Sequence, residues 1–157
     1  MLAYLFWHRP GPGVEAGDYE EAQRAFHAEL GIESACFQVA DLPFEAGPGY
    51  EDWYLVADWR GLGELNAAAV DARRGPHHDL AAAMAGQGWG GVYAPIGGPP
   101  AIPSEASWAT KRPGQPLDEL LAPVTAETPV WRRQLVLGPA PEICVGSGGV
   151  PRTRVWP

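Results

Sequence analysis

Lysine is nearly absent: Lys111 stands alone beside ten arginines, and cysteine and methionine occur twice each. Cys36 and Cys144 are far apart and share no C-x-x-C spacing. That excludes a disulfide framework and a thiolate zinc site built from one chain, and leaves buried free thiols as the expectation. Long apolar runs are missing too. Met1 to Trp7 is apolar, but no basic residue precedes it and Arg9-Pro10 closes it, so it reads as neither signal peptide nor membrane span. A cytoplasmic protein is expected. Positive charge is scarce: the net charge is −8 and the pI about 4.9, which argues against nucleic-acid and anionic-membrane partners. Few lysines amid many alanines, glycines and prolines read as the coding bias of a GC-rich bacterial genome.

What the 157 residues do contain suffices for a packed core, at 46% hydrophobic and 19% charged. The length suits one ordinary domain or two very small ones. With 20 glycines and 17 prolines, the elements must be short and separated by many turns. Acidity is uneven. Residues 1–98 hold fourteen acids against five arginines, whereas 99–157 hold five acids against six bases.

Leu2 to Arg9 has strand length and ends at Pro10-Gly11-Pro12-Gly13. Asp18 with Glu21 predicts a helix start, and Tyr19, Ala22, Phe26 and Leu30 form one apolar stripe that Gly31 ends. Strands are predicted at Ser34 to Ala40 and Glu51 to Trp59, a helix from Gly63 to Arg74 and another over Pro76 to Ala85. A short strand follows at Gly90 to Ile96. The order is βαββαβ, the ferredoxin-like unit. Beyond Gly97-Gly98-Pro99-Pro100 come a strand (Ser107 to Arg112), a helix (Leu117 to Leu121) and strands at Val130 to Leu137 and Glu142 to Val145, a truncated βαββ. Trp7-His8-Arg9-Pro10-Gly11 and Thr110-Lys111-Arg112-Pro113-Gly114 end the first strand of each half alike. We read an internal duplication, with units at 1–98 and 99–157 packed as one compact α+β domain.

That order of elements over residues 2–146, with the aromatic first strand (Tyr4, Phe6, Trp7) and the Tyr19…Phe26-His27 helix, resembles the dimeric α+β barrel superfamily. Its members include antibiotic-biosynthesis-type monooxygenases, EthD-like and NIPSNAP-like proteins and haem-degrading enzymes. The resemblance implies two ferredoxin-like halves with facing antiparallel sheets, a fused pseudo-dimer, and a cavity between sheet and helices. It carries over no catalytic residue.

Alternation places Tyr4, Phe6 and His8 on one face of the first strand and Leu5, Trp7 and Arg9 on the other. By the repeat, Ser107, Ala109 and Lys111 match the first set and Trp108, Thr110 and Arg112 the second. His8 is the candidate general base and Lys111 its counterpart, with Lys111 or Arg112 placed to stabilise an enolate or hold a carboxylate. Either could equally end in solvent. His27 is a candidate cavity acid/base or haem ligand against a hydrogen-bonded boundary histidine. Asn66, among alanines, is a candidate cavity amide. Either Arg132 or Arg133 must point inward if its strand is central, and Arg133 is the candidate ligand arginine. Glu51 and Asp52 alternate and so form no carboxylate pair. Neighbouring helix positions diverge by about 100°, so His77-His78-Asp79 cannot converge on an ion, and no metal is expected. The glycines of Gly86 to Gly91 follow a helix and precede a strand, the reverse of a dinucleotide fingerprint.

The leading expectation is a small apolar or aromatic ligand in the cavity, lined by tryptophans and tyrosines. A catalyst there would be a cofactor-independent monooxygenase, isomerase or lyase. The rivals are a non-catalytic, oligomerising protein and, third, a haem-binding protein. A shorter second half leaves an edge that a homodimer would cover, unless the basic tail Pro151 to Pro157 folds back over it.

Overall fold

The aromatic run at the N-terminus forms β1 (Leu2–Pro10), and Pro12-Gly13 turns the chain out of it. The computed structural model describes residues 1–70, 75–135, 139–150 and 152–157. Helix α1 (Ala16–Glu29) opens two residues before Asp18, and its N-cap Glu15 makes no side-chain cap bond. Asp18 instead sits in the first turn, where its carboxylate faces the positive end of the helix. Gly31, at φ +65°, releases the chain into β2 (Ser34–Val39), which is followed by β3 (Gly49–Val56). The third strand stops earlier than expected because Asp58 caps a helix: its Oδ1 accepts the N–H groups of Arg60 and Gly61. That helix is α2 (Trp59–Val70), and the expected run to Arg74 lies outside the described residues. Pro76 then starts α3 (Pro76–Met84).

β4 (Ala85–Gly97) is longer than the sequence suggests, because Gly86 to Gly91 are strand and not loop. The reason is tertiary. A Cβ on Gly90 would lie 2.9 Å from the Tyr4 hydroxyl, and one on Gly88 would overlap the Phe6 ring, so bare backbone lets both rings of β1 lie across β4. The remainder is β5 (Ala106–Ala109), α4 (Leu117–Leu121), β6 (Val130–Leu135), β7 (Ile143–Val150) and β8 (Thr153–Trp156). The predicted end of the sixth strand, Val136 and Leu137, lies outside the described residues. The basic tail folds back as β8, but it pairs antiparallel with β2 at the edge of the first unit and not with the shorter second half, whose β5 lies at the opposite edge.

Among the described residues, eight strands form one antiparallel sheet in the order β5-β7-β6-β4-β1-β3-β2-β8. Two facing sheets were expected, and a single continuous sheet is found. The strand groups join edge to edge, since β4 pairs with β6 (Val92↔Leu135, Tyr93↔Arg133) and so satisfies backbone groups that stacking would leave open.

The sheet is strongly curled. Laid flat, β1 and β5 would stand about 19 Å apart across four strand spacings. Yet the rings of Trp7 on β1 and Trp108 on β5 lie 5.2 Å apart, and Trp108 also meets Trp53 of β3 at 6.3 Å. The concave face thus closes on a core that includes Leu5, Trp7, Phe37, Trp53, Tyr93, Trp131 and Cys144. The helices α1, α2 and α3 cover the convex face, against Leu2, Tyr4, Tyr50, Val56 and Val92. β3 is covered on both faces and buried throughout. No helix among the described residues is long and apolar enough to cross a membrane.

Candidate functional site

Register assembles the site. On β1 and β3, Tyr4 faces Tyr54, Phe6 faces Asp52 and His8 faces Tyr50. On β2 and β3, Ser34 faces Tyr54 and Cys36 faces Asp52. Even-numbered residues of three strands therefore share the convex face, with Asp52 flanked by Phe6 and Cys36. Tyr19, Gln23 and His27 of α1, spaced by four, form a row over them. The helix is thus rotated from the expected apolar stripe. Tyr19 and Ala22 are buried as predicted, but Gln23 and His27 are buried in place of Phe26 and Leu30, which are half-buried.

Asp52, at 1% exposure, is the hub. Its Oδ2 accepts the Tyr54 hydroxyl at 2.6 Å and lies 3.0 Å from His8 Nε2, and its Oδ1 lies 3.4 Å from His27 Nε2. The two histidine contacts lack hydrogen-bond alignment, so both Nε2 atoms and Asp52 Oδ1 are buried without a hydrogen-bond partner. The opposite ring nitrogens are engaged: His8 Nδ1 meets the Tyr19 hydroxyl at 2.6 Å, and His27 Nδ1 meets Ser34 Oγ at 2.9 Å. Each imidazole is also clamped by rings, His8 between Phe6 and Tyr50 and His27 against Tyr54.

Burial pushes the Asp52 carboxyl upward, but the two imidazoles beside it, His8 first and then His27, outweigh that effect. The carboxyl is held well below its usual range. Burial first, then the Asp52 charge, raises the hydroxyls of Tyr19, Tyr54 and Tyr4 and the Cys36 thiol. At neutral pH the carboxylate is therefore surrounded by protonated phenols. The neighbouring Gln23 works against the shift at Tyr19.

Above this network lies a cavity of about 210 Å³ between the sheet and α1, α2 and α3. Tyr4, Phe6, Phe26, Leu65 and the alanines 81, 82 and 85 form its apolar walls, and His8, Tyr19, Gln23, Asp52, Tyr54 and His78 its polar end. Gln23 Oε1 is buried with no hydrogen-bond partner. The expected tryptophan lining is not there: Trp7, Trp53, Trp108 and Trp131 pack on the concave face.

The structure brings His8, Tyr4 and Phe6 to the cavity and sets His27 beside Asp52 beneath it. Asn66 lines an adjoining groove, which shares Tyr4, Leu65 and Ala69 with the cavity. Lys111 is not brought to His8. β5 ends at Ala109, two residues short of it, and Lys111 Nζ donates to the Gln115 carbonyl. Arg112 is exposed beside Glu119, and Arg133 donates to the Ala140 carbonyl. The inward arginine is Arg152. It pairs with Glu51 on the concave side, where Glu51 also accepts the indole N–H groups of Trp7 and Trp53. Glu51 and Asp52 do lie on opposite faces, and His77 turns to Glu29 while His78 packs on Phe26.

Sequence reasoning missed Asp52, Tyr19, Gln23 and Cys36 as site residues. Alternation had already put Asp52 with Tyr54, and the four-residue spacing of Tyr19, Gln23 and His27 was available. Compared with known protein families, with curated proteins and with solved structures, the chain matches none.

Proposed function

We propose that the cavity binds a small, mostly apolar molecule carrying an enolisable carbonyl or a phenolic hydroxyl, and removes a proton from it without an organic cofactor. The observation that carries this reading is the Tyr19–His8–Asp52 line at the polar end of an otherwise apolar cavity. Tyr19 takes the substrate proton on its oxygen while its own proton passes to His8 Nδ1. The imidazolium so formed faces the Asp52 carboxylate. Because the protons move together, no free phenolate forms at a hydroxyl whose ionisation burial disfavours. Gln23 Oε1 is free to accept from a ligand hydroxyl. The strand orders β4-β1-β3-β2 and β5-β7-β6 support the duplicated, ferredoxin-like ancestry, with β6 placed against β4.

The test is solvent deuterium exchange at the α-carbon of 2-tetralone, a bicyclic ketone of suitable size and acidity, followed by NMR. The protein should accelerate exchange over buffer, and Tyr19→Phe should remove about 100-fold or more of that gain. Exchange at the buffer rate, or an acceleration that Tyr19→Phe leaves intact, contradicts the reading.

A further inference from the structure

Proton transfer uses Nδ1 of His8, while Nε2 on the other side of its ring stands 3.0 Å from Asp52 Oδ2 without an aligned hydrogen bond. His8 Nε2 and Asp52 Oδ1, in residues 1% exposed, have no hydrogen-bond partner, and the nearby Cys36 is fully buried. The ligand atoms of His8, Cys36 and Asp52 all lie within 4.8 Å of one another. His8 Nε2 stands beside Asp52 Oδ2 and Asp52 Oδ1 beside His27 Nε2, yet neither contact is an aligned hydrogen bond, a costly arrangement inside a protein that a shared ion would relieve. The geometry points to a divalent transition-metal site, of the zinc type, held by His8 Nε2, Cys36 Sγ and the Asp52 carboxylate.

Three features support this choice over a simple hydrogen-bonded cluster. The donor set of one imidazole, one thiol and one carboxylate suits Zn²⁺ rather than Mg²⁺ or Ca²⁺, which prefer all-oxygen sites. Ligand-to-ligand edges around tetrahedral Zn²⁺ are about 3.3–3.6 Å, so side-chain shifts on the order of 1 Å complete the site. The support shell is also in place. A metal-bound histidine commonly donates its other N–H to a fixed acceptor, and His8 Nδ1 already meets the Tyr19 oxygen at 2.6 Å. Tyr54 donates to one Asp52 oxygen and His27 stands beside the other, which fixes the carboxylate.

Three protein ligands leave one position of a tetrahedral ion open. His8 and Asp52 both line the cavity, so an ion between them borders the ligand space. Its binding would also change the Tyr19 contact. Without the ion, His8 Nδ1 can accept the Tyr19 proton. With Nε2 on the ion, Nδ1 carries the ring proton and donates to Tyr19, leaving the Tyr19 proton free for the cavity. The ion-loaded site therefore cannot relay the Tyr19 proton to His8, so the proposed proton transfer belongs to the ion-free protein; the test of the metal site uses no organic ligand and its outcome is independent of that reading.

The experiment titrates chelator-stripped protein with Co²⁺ and reads its absorption. One Co²⁺ per chain should give the visible bands of a tetrahedral site and a near-ultraviolet thiolate band, both displaced by Zn²⁺. Cys36→Ser should remove the near-ultraviolet band. His27→Gln, which removes the imidazole beside Asp52 Oδ1 and leaves the three ligands in place, should weaken binding by about 10- to 100-fold. His77→Ala, which removes the exposed imidazole beside Glu29, should change nothing. Circular dichroism confirms folding of each variant, and Cys36→Ser decides the matter if His27→Gln does not fold. No tetrahedral spectrum, a thiolate band that survives Cys36→Ser, or binding lost in His77→Ala overturns the proposal.

Discussion

The Tyr19 hydroxyl on α1 and Nδ1 of His8 on β1 lie 2.6 Å apart, the shortest link between the helical layer and the sheet at the site. Each group is buried. Tyr19→Phe therefore leaves a ring nitrogen unsatisfied and should cost about 1–3 kcal/mol of stability, read as a lower urea midpoint at unchanged slope. A midpoint equal to the wild type would mean that the contact contributes nothing.

Phe6 owes its place to Gly88. A side chain there would overlap the Phe6 ring, which forms a wall of the cavity. Gly88→Val should displace the ring into the cavity and cost about 1–3 kcal/mol by overpacking. The variant should also lose ligand binding while remaining folded by circular dichroism.

How far these residues were legible in the chain follows from the distance over which each is determined. The faces of β1 came from period-two alternation alone, and Tyr4, Phe6 and His8 do share one wall. Asp52 stayed hidden because its importance depends on the pairing Phe6↔Asp52, a contact between strands far apart in sequence. The rotation of α1 was misjudged because hydrophobicity favoured Phe26, whereas Asp52 below draws His27 inward and Gln23, one turn earlier on the same face, is buried with it. The Gly86 to Gly91 segment has poor strand propensity, and the rings of Tyr4 and Phe6 override it. Lys111 was paired with His8 by repeat alignment, but β5 ends before reaching it, so alternation no longer governs where it points.

The concave face carries its own buried ion pair, Glu51 with Arg152, the guanidinium lying 3.8 Å from the Phe37 ring centre. Breaking a buried pair strands a charge. Glu51→Gln and Arg152→Met should each cost about 3–5 kcal/mol. The double variant should be more stable than either single one, a coupling read by urea unfolding in a double-mutant cycle. Additive losses would show that the pair does not act as a unit.

Tyr93 provides a test of alkaline behaviour away from the cavity. Burial, and then the neighbouring Cys144, raises its hydroxyl above the usual value, and that hydroxyl donates to the Pro141 carbonyl at 2.7 Å. The folded state thus holds this proton more tightly than the unfolded chain, whose tyrosines ionise near pH 10. Its contribution to stability is complete below about pH 10 and is lost as pH rises toward the folded-state value. Unfolding free energy should fall above about pH 10 in the wild type and less steeply in Tyr93→Phe. Equal slopes would contradict the assignment.

The claim that this cavity is a ligand site is tested most directly by an NMR titration with 2-naphthol, a stable analogue of an enol. Binding should shift resonances of Tyr4, Phe6, Tyr19, Gln23 and Ala81 together, at one molecule per chain, and Gly88→Val should abolish those shifts. No shifts at millimolar probe, or shifts that persist unchanged in Gly88→Val, would show that the space between the convex sheet face and the helices is a packing void and not a binding site.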